Sequence, residues 1–90
     1  MNVIRLEPQL DPALTALSEI GEDLTIPKNV RGKVIGIIEL LNHESEVPIR
    51  INRALDQLED IANDVNIQPY TRTQVWNVIS ILENLGVNIL

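Results

Sequence analysis

The sequence contains no cysteine and no phenylalanine, and its aromatic content is 2%, from Tyr70 and Trp76 alone. The absence of cysteine excludes disulfides, a thiolate nucleophile and a cysteine-ligated metal. Because aromatic residues are scarce while 44% of the residues are hydrophobic, the core must be built from leucine, isoleucine and valine. Ninety residues suit one small domain, so we expect a single aliphatic core for residues 1–90.

Long apolar runs and positive charge are also lacking. The longest apolar run, Val34 to Leu41, is interrupted by Gly36 and Glu39 and falls well short of the roughly 20 residues that cross a bilayer. The first ten residues have no signal-peptide pattern. With 7 basic and 13 acidic residues, the net charge of −6 disfavours binding to nucleic-acid phosphates. We therefore expect a cytoplasmic protein with no membrane contact.

Four of the five prolines stand near the start of a segment with helical spacing: Pro12, Pro27, Pro48 and Pro69. Proline fits the first turn of a helix because the N–H that it lacks would have no partner there. The sequence therefore predicts four helices, preceded by an irregular arm over about residues 1–10. The β-branched residues of the second segment are compatible with a strand, but a dozen or more residues without period-two alternation favour a helix.

The predicted helices run from about residues 11 to 21, 25 to 43, 45 to 65, and 71 to 85. Asp11, Ser45 and Thr71 are the predicted N-terminal caps, Thr71 forming a capping box with Gln74. Gly21 and Gly86 are predicted to end the first and last helices. The apolar stripes are Leu10, Leu14, Leu17 and Ile20; Val30, Val34, Ile37 and Leu41; Ile51, Leu55, Leu58, Ala62 and Val65; and Val75, Val78, Ile79, Leu82 and Leu85.

Short connections make sequential helices antiparallel neighbours, so the predicted fold is an all-α, up-and-down four-helix bundle. The positions of the charges support this order. Lys28, Arg31 and Arg72 begin helices, where the helix dipole disfavours cations. In an up-and-down bundle they face carboxylates that end neighbouring helices: Glu19, Glu22, Asp60 and Asp64. Arg50 and Arg53 would face Glu39 and Glu83 at the other end. The sequence shows no internal repeat, and the apolar tail 87–90 is a further candidate for packing on the bundle.

Two stretches carry a resemblance to a known family: residues 25–31, TIPKNVR, and residues 63–83, NDVNIQPYTRTQVWNVISILE. They resemble uncharacterised protein family 0147, a group of small archaeal proteins, most specifically in the PYTRT run before Trp76 and Asn77. The resemblance implies a helical bundle from an archaeal cytoplasm. It implies no activity, because the family has no assigned catalytic or binding residues.

One candidate site is the end of the bundle where two helix N-termini meet. Free N–H groups and nearby cations are suited to binding an anion or a phosphate, including that of RNA. A structural layer of ion pairs is the preferred interpretation, because carboxylates stand ready to pair with the same cations. The residues concerned are Lys28, Asn29, Arg31, Tyr70, Arg72, Trp76 and Asn77.

A second candidate is an apolar contact surface. Ile35, Ile38 and Leu40 widen the apolar face of helix two, and Trp76 and Ile81 widen that of helix four. Either the two faces bind a protein partner or a second copy, or the arm and the tail cover them. Trp76 would then lie at the edge of the core or in the contact. Gly32 and Gly36, one turn apart, would permit close approach of another helix.

Catalysis and cofactors find little support. Glu39 and His43 share a helix face, but a metal-binding bundle needs more inward-facing ligands than one histidine can supply. The acidic residues of the third helix, Asp56, Asp60 and Asp64, suit a solvated face. No nucleophile elbow, phosphate loop or dinucleotide motif occurs. The sequence thus predicts a non-catalytic interaction module without cofactor, with a homodimer as its simplest form and anion binding as the alternative.

Overall fold

The computed structural model describes residues 8–43 and 45–89, with the backbone alone for residues 86–89. Within these ranges it has a 3₁₀ turn, Pro8–Leu10, and four helices: α1 (Asp11–Gly21), α2 (Lys28–Leu41), α3 (Val47–Ala62) and α4 (Pro69–Ile89). No strand occurs in the described ranges. Consecutive helices pack against each other, and α1 also packs against α4. Each helix therefore has two packing neighbours, an arrangement compatible with the predicted bundle.

The core is aliphatic, as the composition predicts. Each predicted stripe on α1, α2 and α4 supplies fully buried residues, among them Leu17, Val34 and Leu82. Ala54, Ile61 and two residues of the interhelical turns, Ile26 and Ile67, are also buried. The turn residues had no place in a helical pattern, because each lies between two helices. Closing the core at its end thus requires side chains from the turns as well as from the helices.

Proline marks the start of each helix, as predicted. Pro12 and Pro48 lie in the first turns of α1 and α3, Pro27 is the residue before α2, and Pro69 is the first residue of α4. None of these starts needs an amide donor at the proline position, which is why proline is tolerated there. The predicted segments and the observed helices therefore agree in number, order and approximate position.

The predicted N-terminal caps are wrong. Helix α1 begins at Asp11 itself, and the residue before it, Leu10, makes no side-chain cap. Ser45 lies before α3, whose capping position is Glu46. Thr71 is the third residue of α4 and is buried, while Gln74 Oε1 has no hydrogen-bond partner among the described residues. Thr71 cannot act as a cap because it faces the core inside the helix.

The predicted ends of two helices are also wrong. Helix α3 stops at Ala62, and Val65, assigned to its stripe, is 86% exposed in the following turn. Helix α4 passes through Gly86 and continues to Ile89. Among the described residues no glycine has a positive φ angle, so Gly86 does not form the left-handed stop that the prediction required. The arm residues 1–7 and the side chains of the tail lie outside the described residues.

The structure overturns the expectation that the chain has no repeat. Helices α1 and α3 end 41 residues apart, at Gly21 and Ala62, and helices α2 and α4 begin 41 residues apart, at Lys28 and Pro69. Nine buried residues have a buried counterpart at this offset: Leu10 and Ile51, Ala13 and Ala54, Leu17 and Leu58, Ile20 and Ile61, Ile26 and Ile67, Val30 and Thr71, Val34 and Val75, Ile37 and Val78, and Leu41 and Leu82. The four helices are thus two copies of one helix–turn–helix unit.

The sequence carries the same repeat once the offset is known. Ten pairs 41 residues apart are identical within residues 11–83: Ala13 and Ala54, Leu14 and Leu55, Leu17 and Leu58, Ile20 and Ile61, Asp23 and Asp64, Ile26 and Ile67, Arg31 and Arg72, Val34 and Val75, Ile38 and Ile79, and Leu41 and Leu82. Most are aliphatic, and aliphatic residues recur at helical spacing in any amphipathic bundle. The repeat is therefore hidden in a pattern that four unrelated helices would also show.

Truncating a core leucine tests the packing. Leu58 is fully buried, so Leu58→Ala should lower the free energy of unfolding by about 2–5 kcal/mol, as lost burial and a new cavity combine. Leu24, which is 82% exposed, provides the matched control. Leu24→Ala should change the free energy of unfolding by less than about 0.5 kcal/mol. Urea unfolding followed by circular dichroism measures both. Equal effects of the two substitutions would contradict this core.

Candidate functional site

The two turns that join the hairpin helices have the same internal hydrogen bonds. Turn A (residues 22–27) joins α1 to α2, and turn B (residues 63–68) joins α3 to α4. In turn A the Asp23 carboxylate accepts from the Thr25 N–H at 2.9 Å, and in turn B the Asp64 carboxylate accepts from the Asn66 N–H at 2.8 Å. An aspartate that bonds the amide two residues on stabilises a tight turn. Both turns are thereby held in one shape.

The same backbone bonds surround both aspartates. The Asp23 and Asp64 N–H groups donate to the carbonyls of Ile20 and Ile61, and the N–H groups of Ile26 and Ile67 donate back to the aspartate carbonyls. The buried side chains of Ile26 and Ile67 then fix each turn to the core. Between the aspartate and the isoleucine, each turn leaves one aliphatic residue in solvent. These residues, Leu24 and Val65, are 82% and 86% exposed.

Arg72 lies next to Asp64, as predicted, but it binds the backbone and not the carboxylate. Its Nε donates to the carbonyl of Ala62 at 2.9 Å, and its Nη2 donates to the carbonyl of Asp64 at 2.8 Å. The Asp64 carboxylate is engaged by Asn66 instead. The Ala62 carbonyl belongs to the last residue of α3, where the helix leaves acceptors without intrahelical donors. Arg72 therefore closes the end of the preceding helix.

Arg31 and Arg50 have comparable roles. The Arg31 Nε donates to the carbonyl of Ile26 in turn A at 2.9 Å. Arg50, which is buried, donates through Nη1 to the carbonyl of Leu41, the last residue of α2, at 2.8 Å. In each case a cation at the start of one helix meets carbonyl oxygens of the turn or helix before it. The cations that looked misplaced within their own helices therefore suit the dipole of their neighbours.

The proposed anion site loses donors through these bonds. Arg31 and Arg72 direct their Nε groups to the backbone, and both side chains are partly buried. Lys28, Asn29 and Asn77 are exposed, as are Tyr70 at 70% and Trp76 at 46%. The structure thus gives the two arginines a structural use.

The outer face of α2 is the clearest apolar surface outside the turns. Ile35 is 47% exposed, and a Cβ atom placed on Gly32 or Gly36 would meet nothing within 4 Å. Ile38, Leu40 and Ile81 are partly buried and pack against the core, so they contribute less to a contact surface. Helices α2 and α4 are not packed side by side, and Ile35 and Trp76 therefore lie on separate surfaces.

An open groove of about 490 Å³ runs beside this face, between α2 and the start of α3. Gly36, Leu40 and the half-exposed Ile49 form its apolar part. Glu39, His43, Ser45 and Arg53 line its polar part. Within residues 8–43 and 45–89, no cluster of three histidine, cysteine, aspartate or glutamate residues is placed to hold a metal. The groove therefore offers surface for contact, with no ligand set in the described part of the chain.

Comparisons with known proteins agree with this helical architecture. The model of the uncharacterised protein family UPF0147 matches residues 1–85. The chain belongs to UPF0147. A member of the family from Methanosarcina mazei is 41% identical over 76 residues, covering 83% of this chain and 82% of the relative. One from Archaeoglobus fulgidus is 38% identical over 78 residues, covering 87% and 90%.

Solved structures extend the agreement to the fold. A crystal structure of a UPF0147 protein from Thermoplasma acidophilum matches with a TM-score of 0.82 and 32% identity, covering 88% of this chain and 94% of that one. A second crystal structure, of a protein of unknown function, matches with a TM-score of 0.79 and 37% identity, covering 83% and 86%. The family model and the relatives from Methanosarcina mazei and Archaeoglobus fulgidus confirm the resemblance seen in the sequence. None of the described helices is both long and apolar enough to cross a bilayer.

Replacing Arg72 tests whether it binds carbonyls or carboxylates. Lysine keeps the charge but cannot reach two carbonyls with a planar fork, so Arg72→Lys should lower the free energy of unfolding by about 1–3 kcal/mol. Arg53→Lys, at an exposed position, is the matched control and should be nearly neutral. Denaturant unfolding measures both. A neutral Arg72→Lys beside a damaging Asp60→Asn would favour the ion pair instead.

The pKa of Asp23 tests turn A. The Thr25 hydroxyl donates to the Asp23 carboxylate and, together with the Thr25 N–H and the charge of Arg31, lowers the pKa of Asp23 below its ordinary value of 3.8, although partial desolvation opposes the shift. Thr25→Val removes the hydroxyl and should raise this pKa. Thr25→Ser keeps the hydroxyl and should hold the pKa low. A carboxyl-detected NMR titration measures all three proteins, and equal values for the two variants would contradict the bond.

The sign of the pH dependence follows from the direction of this shift. Because the pKa of Asp23 is lower in the folded than in the unfolded state, its contribution to stability is present above the unfolded pKa and is lost as the pH falls through the folded pKa. Thr25→Val should therefore make stability fall less steeply than in the wild type below about pH 4.

Proposed function

We propose that this UPF0147 protein is a non-catalytic interaction module that self-associates as a homodimer through the outer face of α2. The observation that carries the proposal is the half-exposed Ile35 beside Gly32 and Gly36, whose Cα atoms leave open space on the helix surface. A large aliphatic side chain next to a depression of glycines is self-complementary. Such a surface suits a two-fold dimer, in which the same patch on each copy contacts the other.

The arrangement of charge along α2 supports antiparallel pairing. At 100° per residue, Lys28, Gly32, Ile35 and Glu39 fall on the side opposite the buried stripe. An antiparallel register that sets Lys28 against the partner's Glu39 also sets Ile35 against the partner's Gly32. In this register both Lys28–Glu39 pairs form between the two copies, and each Ile35 enters the glycine depression of the other copy. Parallel pairing in register would instead bring like charges together.

We also infer the up-and-down order for the four helices. The connections are short, at residues 22–27, 42–46 and 63–68, and short connections favour antiparallel neighbours. The packing of α1 against α4 closes the ring of contacts that this order requires. The α2–α3 groove then runs along the side of the bundle. Its apolar residues include Leu40 and Ile49.

Other features of the chain weigh against the alternative of phosphate or RNA binding. The net charge of −6 repels phosphates, and two of the cations at the helix starts are bonded to carbonyls. A non-catalytic role is part of the proposal, and within the described residues no three ligand-type side chains are grouped to hold a metal. A cytoplasmic location is the expectation that accompanies this role.

Substituting Ile35 tests the dimer. Wild-type protein should have the mass of a dimer at tens of micromolar in light scattering after size exclusion, and Ile35→Asp should have that of a monomer because a carboxylate would be buried in the contact. Trp76→Asp is the matched control, since Trp76 occupies the position in α4 that Ile35 occupies in α2. It should leave the dimer intact.

Two outcomes would count against this proposal, and a third calls for a different variant. A wild-type monomer at tens of micromolar would exclude self-association. Dissociation by Trp76→Asp and not by Ile35→Asp would move the contact to α4. Loss of helical signal in circular dichroism for Ile35→Asp would make its mass uninformative, in which case Gly32→Leu, which fills the depression at an open position, replaces it and should also give a monomer.

A further inference from the structure

The repeat duplicates two exposed features along with the core. Of the large exposed hydrophobic residues, Leu24 in turn A corresponds to Val65 in turn B, and Ile35 in α2 corresponds to Trp76 in α4. Ile35 and Trp76 differ in size and chemistry. Leu24 and Val65 are both aliphatic, and their exposed fractions are similar, at 82% and 86%. The turns are therefore the place where the two halves of the chain present the same chemistry to solvent.

Exposure at these two positions is imposed by the structure of the turns. An aspartate on one side bonds the amide on the other, and the isoleucine two residues after the exposed residue is buried. The side chain between them is then directed away from the core. An aliphatic residue held rigidly in solvent loses little conformational freedom on binding, so it is a preorganised anchor for a pocket on another molecule.

We propose that turns A and B together form a two-point docking surface for a basic protein with two-fold symmetry, which receives Leu24 and Val65 in two equivalent apolar pockets. This proposal concerns a surface other than the α2 face, and it does not depend on the homodimer. It uses the up-and-down order, in which both hairpin turns lie at one end of the bundle. Helix α4 alone spans about 31 Å, so the 40 Å extent of the molecule lies along the helices.

The size of that end fits two contacts on one partner. The other two extents of the molecule are 25 and 17 Å, so both turns fall within a patch of that size. Two pockets on a two-fold partner can meet two equivalent anchors on a pseudo-symmetric end, each in the same local geometry. A partner with a single pocket would use one turn and would give no reason for the other to keep the same exposed aliphatic residue.

The charge around the anchors points to a basic partner. Glu22 and Asp23 precede Leu24, Asp64 precedes Val65, and Glu19 and Asp60 lie in the last turns of α1 and α3. Of the three cations that begin α2 and α4, Lys28 is exposed, while Arg31 and Arg72 are partly buried and donate to carbonyls. An acidic rim attracts a basic surface and repels nucleic acid, anionic lipid and the same end of a second copy. A basic protein is therefore the occupant that fits.

The experiment compares four proteins that should fold alike: the wild type, Leu24→Ser, Val65→Ser and the double variant. Each is immobilised and exposed to an extract of the source organism at low and at high salt. The protein retained by the wild type and lost by the double variant is identified and purified. Its oligomeric state, its isoelectric point and its dissociation constant for all four proteins are then measured by light scattering and calorimetry.

The proposal expects a basic, two-fold symmetric protein whose binding weakens with added salt. Because two linked contacts reinforce each other, either single substitution should weaken binding by about 10²-fold or more, and the double variant should show none. Ile35→Asp should retain binding to this protein, and the double turn variant should retain the oligomeric mass of the wild type. Failure of the docking surface and failure of the dimer can thus be told apart.

Three results would overturn the proposal. The first is that the wild type retains no protein, or that it retains the same proteins as the double variant. The second is that the retained protein is acidic or lacks a two-fold axis. The third is that one single substitution abolishes binding while the other changes it by less than about threefold, which would show that a single turn makes the contact.

Discussion

The internal geometry of turns A and B is the constraint on which the rest of the structure depends. In each turn an aspartate bonds the amide two residues later, and a buried isoleucine follows one residue after that amide. These contacts fix where the second helix of the hairpin starts relative to the end of the first. A shift of one residue would rotate the second helix by 100° and move its apolar stripe out of the core. The register of the aliphatic core is therefore set in the turns.

The arginines act on the same junctions from the other side. The last carbonyls of a helix lack intrahelical donors and carry partial negative charge. They can therefore accept hydrogen bonds from a guanidinium, as a carboxylate can. Arg72 satisfies the end of α3 and the turn after it at once, with two bonds of 2.9 and 2.8 Å. A carboxylate on the surface would stay hydrated and flexible, and pairing with it would contribute little. The backbone is the better partner because it is already held in place.

Reading the sequence alone located the helices because their start signals are local. Proline at a first turn and apolar residues at three- and four-residue spacing depend on neighbours within the same segment, and Val30, Val34, Ile37 and Leu41 are all buried as predicted. The wrong predictions concern residues whose position depends on contacts outside their own helical segment. Thr71 resembles a cap in its local sequence. Its burial, and that of Val30 at the equivalent position of the repeat, shows that the position faces the core. Val65 continues the spacing of α3, but the chain has already turned.

The candidate sites could be foreseen only in part, for a similar reason. Proximity of Arg72 to Asp64 followed from the order of the helices, whereas the choice of the carbonyl over the carboxylate required the geometry of the turn. The exposure of Ile35 and the openness at Gly32 and Gly36 also needed coordinates, because a wide apolar face on a helical wheel does not show which residues the neighbours cover. Ile38 of α2 and Ile81 of α4 belong to the wide apolar faces and are partly buried against the core.

The two halves of the chain differ in an informative way. Buried positions correspond closely, because residues at equivalent positions of the two halves pack into one shared core. On the outer faces of α2 and α4, by contrast, Ile35 corresponds to Trp76 at the 41-residue offset, Gly36 corresponds to Asn77, and Glu39 corresponds to Ser80. Two faces that differ at three successive outer positions do not bind the same surface, so an α2 contact need not be repeated on α4. The turns show the opposite behaviour: solvent imposes no packing requirement on Leu24 and Val65, and yet both are aliphatic and both are held outward. An unconstrained position that keeps an unfavourable side chain in both halves is best explained by a contact that both halves make.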